Sequence, residues 1–438
     1  MRLRAGLLAF PVSLALVLAA CASGDVGGGG GGDDSGGGGA AEEISVAAVW
    51  TGAEQASFEA VLDAFTEKTG VETSYQSSAD LGTFLGTQLE GGSPPDVAMI
   101  PQPGLIRDLA GGGSLIEVSD EASSALDENY APIWRELGTV DAKLYAVYFK
   151  TASKATWWYN TAAFQQAGVQ PPATWDELLD AAGTVNQSGV AFASIGGAEA
   201  WPLTDLFENI YLQTAGPEKY DQLADHKIPW TDPSVIEALN TMGELFADPA
   251  NFPDGLQGAL KTDFVTSVTQ TFTEPPESAS VYEGDFVAGV ISGETEAKVG
   301  SEADFFPFPD VGAAGAVVGG GDAGVALTDS EGAQQLLAFL ATPEAAEVWA
   351  SKGGFISPNI SLDMSAYPDE ISRRIAEGVV GAAESGAFRF DLSDLQPAEF
   401  GATAGRGMWL RMQEFVEDPD DAEGVAQRLE QDAKKAFK

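Results

Sequence analysis

Ile44–Trp50 is an apolar run of strand length, and the segment behind it changes period. Phe58, Val61, Leu62 and Phe65 fall at i, i+3, i+4 and i+7, which predicts an amphipathic helix over Glu54–Thr69 that Gly70 ends. Val71–Gln76 predicts a second strand, Leu81–Glu90 a helix, and Asp96–Ile100, after Pro94-Pro95, a third strand. Strands alternating with helices predict right-handed βαβ units and a parallel sheet. Ligands gather at the carboxyl ends of such strands, here Trp50-Thr51-Gly52 and Pro101-Gln102-Pro103.

Beyond that unit, Ser119–Leu137 reads as helical, and Lys143–Lys150 and Ala155–Asn160 as extended. Thr174-Trp175-Asp176-Glu177 is a capping box ahead of Leu178, Leu179 and Ala182. Asp232-Pro233 is an N-cap followed by proline, opening a helix through Phe246, and Thr342-Pro343 opens one through Ala350. The middle region is rich in helix; Phe305–Asp310 and Val317–Leu327 return to strand, and the C-terminal part to helix. A sheet begun, left and resumed implies two lobes, with the chain crossing near Lys150, Phe306 and Gly354. A cleft between two lobes is a common ligand site.

The first residues change the picture of the cell compartment. Arg2 and Arg4 precede an apolar run from Gly6 to Ala20, of signal-peptide length. It ends in Leu18-Ala19-Ala20-Cys21, which looks like a bacterial lipobox with Cys21, the single cysteine, as the lipidated residue. Two or more acyl chains there would hold the protein on the outer face of the cell membrane. Residues 22–41 are almost wholly Gly, Asp, Ser and Ala, a tether with a typical span of about 25 Å. The expected division is a signal peptide at 1–20, anchor and tether at 21–42, lobe 1 at 43–150 plus 306–353, and lobe 2 at 151–305 plus 354–438.

Composition then excludes function classes. With 66 acidic against 22 basic side chains the formal net charge is −44, unsuited to nucleic acid, whose binding begins with neutralised phosphates. One Cys and one His, His226, rule out an internal disulfide and Cys/His zinc sites, and any hydrolase with a histidine base would have to use His226. No Gly-Lys pair exists for a phosphate loop. Gly319–Gly324 fits G-x-G-x-x-G, but a strand follows it where dinucleotide binding requires a helix. The bland alternative is a close backbone approach. No catalytic residue, cofactor or metal is expected. The acidity fits a solvated surface, or adaptation to a saline or alkaline habitat.

Nine tryptophans carry more information. Trp134, Trp175 and Trp349 lie where a helix packs, and read as core. Trp50, Trp201 and Trp230 lie in loops or at element ends, near Glu54, Asp205 and Asp232. An indole face suits the C–H face of a pyranose, with carboxylates and amides on its hydroxyls. The same set suits a polyamine by cation–π contact; both remain open on the residues alone. A glycosidase carboxylate pair is a third reading, although no pair stands out.

These features together resemble the extracellular solute-binding proteins of ABC importers, in the maltose-binding-like family 1 and its α-glucoside branch. The stretches that carry the resemblance are Ala47–Glu54, Pro94–Gly104, Leu144–Lys150 leading to Trp158-Tyr159-Asn160, Asp304–Pro309, Gly319–Asp322, Ala341–Ala346, Gly353–Asn359 and Phe388–Asp391. The resemblance implies an α/β, two-lobe periplasmic-binding-protein-like fold with a hinge of several crossing segments. It implies a monomeric receptor, not an enzyme, that delivers a carbohydrate to the permease subunits. By position it places Trp50, Thr51, Glu54, Gln102 and Lys150 on the first lobe's ligand loops, and Trp201, Asp205, Trp230 and Arg389 on the other's. Gly320, Gly321 and Asp322 would bring backbone to the cleft. Members of the branch carry cysteines near Ala193-Ser194 and Ser278; this chain has neither.

Overall fold

The computed structural model describes residues 43–78, 81–312 and 315–437. The expected signal peptide, Cys21 and tether lie outside the described residues.

The predicted opening is present: strands β1 (Glu43–Ala48), β2 (Glu72–Ser77) and β3 (Val97–Ile100) are separated by helices Gly52–Thr69 and Leu81–Glu90. β1 lies between β2 and β3, parallel to both. It stops short of Trp50, whose carbonyl accepts the Tyr75 hydroxyl at 2.7 Å rather than a ladder bond. The stretch expected as one helix over Ser119–Leu137 is two, Asp120–Asn129 and Pro132–Leu137. Pro132 has no N–H to continue the first and instead opens the second.

After a short hairpin, β4 (Thr139–Val140) and β5 (Lys143–Leu144), strand β6 (Ala146–Ser153) joins the first sheet and β7 (Thr156–Asn160) begins another. The remaining strands are β8 (Ala191–Ser194), β9 (Ser278–Tyr282), β10 (Ala303–Pro307), β11 (Val317–Ala326) and β12 (Phe388–Phe390). The first sheet has the order β12-β11-β3-β1-β2, with β6 on the other edge of β11; the second has the order β10-β7-β9-β8. Successive residues of the second sheet serve two hydrophobic cores, as the period of two requires. Trp158, Val281 and Phe305 pack in the core of the first sheet. Trp157, Tyr282 and Phe306 pack in a second core with Phe207, Tyr211, Trp230 and Phe415.

The chain passes between the two sheets from Ser153 to Thr156 and from Pro307 to Val317. Phe355 and Ile356 stay in the first core, and the Ile356 carbonyl accepts Thr151 N–H at 2.8 Å. β12 pairs parallel with β11, and Phe388 packs against Trp134 at 5.0 Å between ring centroids. The second core resumes at Leu392, so the passage falls at Asp391 rather than Gly354. The segment 151–305 is also not confined to one side: Val268, Phe272, Val287 and Ile291 belong to the first core.

Candidate ligand-binding site

β6 carries Lys150 into the end of the first sheet, opposite Asp322 of β11 in the antiparallel register. The ladder shifts at Asp322/Ala323, a bulge of the kind that re-aims side chains. Lys150 is buried, and its Nζ lies 2.5 Å from Glu54 Oε1 in the first turn of helix Gly52–Thr69. The same ammonium stands 5.7 Å and 5.4 Å from the Trp50 and Trp349 ring centroids. Burial works against its charge, but Glu54 and Asp322 outweigh that and hold its pKa above the usual lysine value. Asp322 and Asp285 are pushed up to about 6, in each case by burial against the pull of Lys150. Asp285 follows β9, and its Oδ1 accepts Ser153 N–H at 2.7 Å. Thr51 is exposed at the head of helix Gly52–Thr69, and Gln102 precedes helix Pro103–Gly111; neither side chain caps its helix.

An aromatic group stands at Lys154, just past the end of β6. Trp201 opens helix Trp201–Ala215 and is half-buried. Its ring lies 5.2 Å from Phe264 and 5.9 Å from Phe286, and those two lie 5.4 Å apart. Phe286 follows Asp285, whose carboxylate accepts Ser153 N–H near the end of β6. Lys154 Nζ is 5.8 Å from the centre of the Trp201 ring. Lys154 also contacts Asp391 and, at 3.1 Å, Asp205. Carboxylate oxygens of Asp205, Glu208 and Asp391 lie within 4.8 Å of one another.

The structure brings Thr51, Glu54, Lys150, Gly320, Gly321 and Asp322 to one sheet end, and sets Trp201 against Lys154. The other expected residues stand differently. Trp50 is only 3% exposed, its indole edge-on to Phe58 and Trp349 at 4.8 and 4.9 Å, so no open face is offered. Trp230 is fully buried against Phe207 and Phe400, a core residue despite its prolyl, loop-like neighbours. Asp205 is fully buried and engaged by Lys154. Arg389 forks onto Asp221 (2.7 and 3.1 Å) and donates to the Gly386 carbonyl, bracing β12 against helix Pro217–Ala224. Gly320 and Gly321 are interior to β11, where a Cβ on Gly321 would meet the Lys150 carbonyl at 2.6 Å. Gly321 is needed for the strands to approach, whereas a Cβ on Gly320 would meet only the Lys154 side chain, at 3.3 Å.

Lys154, Asp285, Phe264 and Phe286 were not singled out from the sequence. Lys154 and Asp285 follow the ends of β6 and β9, where no local pattern marks them. Phe264 and Phe286 are not marked either, because 22 residues separate them in the chain. Two outer concavities share no residue with the cluster: one of about 480 Å³ beside Tyr159, Phe305 and Arg374, the other of about 230 Å³ beside Thr174, Trp175 and Glu244.

Comparison with known proteins agrees with this architecture. The sequence model of the family described as bacterial extracellular solute-binding protein matches residues 50–347. The alpha-glucosides-binding periplasmic protein AglE of Rhizobium meliloti is 33% identical over 402 residues, 88% of this chain and 86% of its own. The osmoprotective compounds-binding protein GgtB of Synechocystis sp. is 32% identical over 386 residues, 86% of this chain and 90% of its own. Among solved structures, the bacterial solute receptor AcbH superposes with a TM-score of 0.78 at 18% identity, over 91% of this chain and all of its own. That likeness shows the fold, the two-lobe α/β architecture that the resemblance implied. This chain therefore belongs to the bacterial extracellular solute-binding protein family, whose members are receptors rather than enzymes.

Proposed function

We propose that the chain is the receptor of an ABC importer and holds a carbohydrate of the α-glucoside class where the Lys150 cluster meets the three aromatic rings. The observation that carries this reading is the half-buried Trp201–Phe264–Phe286 group at Lys154, just past the strand on which Lys150 meets Glu54 and Asp322. A pyranose lays its C–H face on an aromatic ring and offers its hydroxyls to charged partners, which make the stronger hydrogen bonds. AglE, a relative over most of the chain, is named for α-glucosides. Thr51 and Gln102, at the ends of β1 and β3, are assigned to the same ligand. In this reading residues 1–20 are a signal peptide, Cys21 carries the lipid, residues 22–42 are the tether, and the receptor is a monomer on the outer face of the membrane.

Mass spectrometry of ligand carried through purification, followed by titration calorimetry with maltose, trehalose and spermidine, tests the assignment. Stoichiometric heat with a disaccharide supports it. Heat with spermidine alone replaces it with a receptor for a cationic solute, which the surrounding carboxylates would attract.

A further inference from the structure

Lys154 sits on the passage from β6 to β7, and each of its polar groups reaches another element. Its N–H donates to the Val318 carbonyl of β11 at 2.9 Å. Its carbonyl accepts the Asn209 amide of helix Trp201–Ala215 and the Tyr282 hydroxyl of β9, both at 2.9 Å. Its ammonium contacts Asp391, and lies 3.1 Å from Asp205 Oδ2 and 3.3 Å from Oδ1. Gly320 of β11 leaves room for the lysine stem, which lies 3.3 Å from where a Cβ would stand. Burial works against the charge, but Asp205 and Asp391 outweigh it and hold the Lys154 pKa well above the usual lysine value.

Trp201, Asp205, Glu208 and Asn209 fall at i, i+4, i+7 and i+8, one face of helix Trp201–Ala215. That face lies against the passages between the sheets. Asp205 meets the Lys154 ammonium, Asn209 the Lys154 carbonyl, and Glu208 the Leu392 and Ser393 N–H groups at 2.6 and 3.0 Å. The helix opens at Ala200 with a φ of 68°, which a residue with a Cβ adopts at a cost, and no side chain caps its first turn. Trp201 is in that turn, and the Lys154 ammonium approaches its ring at 5.8 Å.

We propose that Lys154 and Asp205 are a positioning pair for solute recognition. They clamp the first turn of helix Trp201–Ala215 onto the end of β6, and so hold the Trp201 ring in register with Lys150, four residues back on that strand. Asp205 is fully buried and does not reach a solute; it acts through Trp201. A hydrogen bond from a charged donor is stronger than a neutral one, and the Asp205 side of this one is closed to water. Without the clamp the indole keeps its ring contacts with Phe264 and Phe286, which come from other parts of the chain. A face held in one orientation beforehand loses less binding free energy to ordering. That Trp201 serves the solute rests on the proposed function; the clamp itself does not.

Hydrogen exchange followed by mass spectrometry reads the clamp without solute. Asp205→Leu nearly keeps the volume and removes the acceptor. Amides of the first turn, residues 203–206, should then exchange roughly 10-fold or more faster than in the native protein, with peptides elsewhere unchanged. Asp205→Asn keeps an acceptor oxygen for Lys154 and should stay within about 3-fold of native exchange. Calorimetric titration with maltose or trehalose, whichever the native protein binds, reads the coupling to the ring. Asp205→Leu should weaken affinity by at least about 5-fold, but by less than about 2-fold in a Trp201→Ala background, because the clamp acts only through that indole. Asp205→Ala is read in the same way should the first variant not fold. Native exchange in the first turn overturns the proposal, as does an acceleration spread evenly over the protein, which a merely structural residue would give. An equal affinity loss in both backgrounds also overturns it. Native affinity in Trp201→Ala, or no binding of either sugar, rejects the ligand assignment instead, and the exchange result then decides the clamp alone.

Discussion

Lys150 and Glu54, 96 residues apart, meet at 2.5 Å between a buried strand and the first turn of a helix. The ammonium is thereby fixed over two indoles and opposite Asp322. It is a preset charge at the carboxyl end of the sheet, and it keeps the carboxylates around it compatible with burial.

Replacing Lys150 with Met keeps the volume and removes the charge. Loss of one partner from a fully buried pair costs ~3–5 kcal/mol; here Glu54 is nearly half exposed, so about 1–3 kcal/mol is expected near pH 7. The loss should shrink toward pH 5, as Asp322 and Asp285 become neutral. Urea unfolding at the two pH values measures it.

Two tryptophans that look alike in sequence should separate cleanly. Trp201→Ala is expected to weaken sugar affinity by about 1–3 kcal/mol, roughly 5- to 150-fold, with a small effect on unfolding. Trp230→Ala should instead destabilise the fold by about 3–5 kcal/mol and leave the affinity of the folded fraction unchanged. Calorimetric titration and chemical denaturation of both variants give the four values.

Asp322 supplies a pH dependence with a definite sign. Its pKa in the folded chain, about 6, exceeds the ordinary 3.8, so the folded state holds the proton more tightly. Its favourable contribution is complete below about pH 4 and is lost as pH rises through about 6. Asp322→Asn, always neutral, should therefore gain stability relative to the native protein across that window. The gain reaches at most about 3 kcal/mol, the free energy of a shift of about two units. A stability difference that does not change between pH 4 and 7 contradicts this.

Gly321→Ala tests the strand approach. The added methyl meets the Lys150 backbone carbonyl at 2.6 Å, an atom that cannot swing aside, and β6 must move away from β11. A cost of about 1–3 kcal/mol is expected, together with weaker solute binding, because Lys150 moves with its strand. Gly289→Ala, where a Cβ meets nothing within 4 Å, is the control.

The pattern of apolar positions by itself determined the βαβ opening, because a change of period from 2 to 3.6 is local information. It likewise placed helices at Pro233–Phe246 and Pro343–Ala350, where Asp232 and Thr342 cap the helices they precede. The strand after Gly319–Gly321 was legible, and with it the rejection of dinucleotide binding. Lys150 and Asp322 were assigned to the site by the resemblance to the solute-binding family, and Glu54 by that resemblance and its place near Trp50 at a strand end. Only the tertiary structure decided which indoles face open space. Trp50 and Trp230 occupy loop-like contexts as Trp201 does, but Phe58 and Trp349 cover one and Phe207 and Phe400 the other. It also decided that the chain changes sides at Asp391, since a three-residue strand earns its place by pairing with β11 across the fold. The burial of Asp205, Glu208, Glu283 and Asp391 about Lys154 is of the same kind: their neighbours come from helices and strands far apart in the chain, and no local pattern reports how completely water is excluded from a point where they meet.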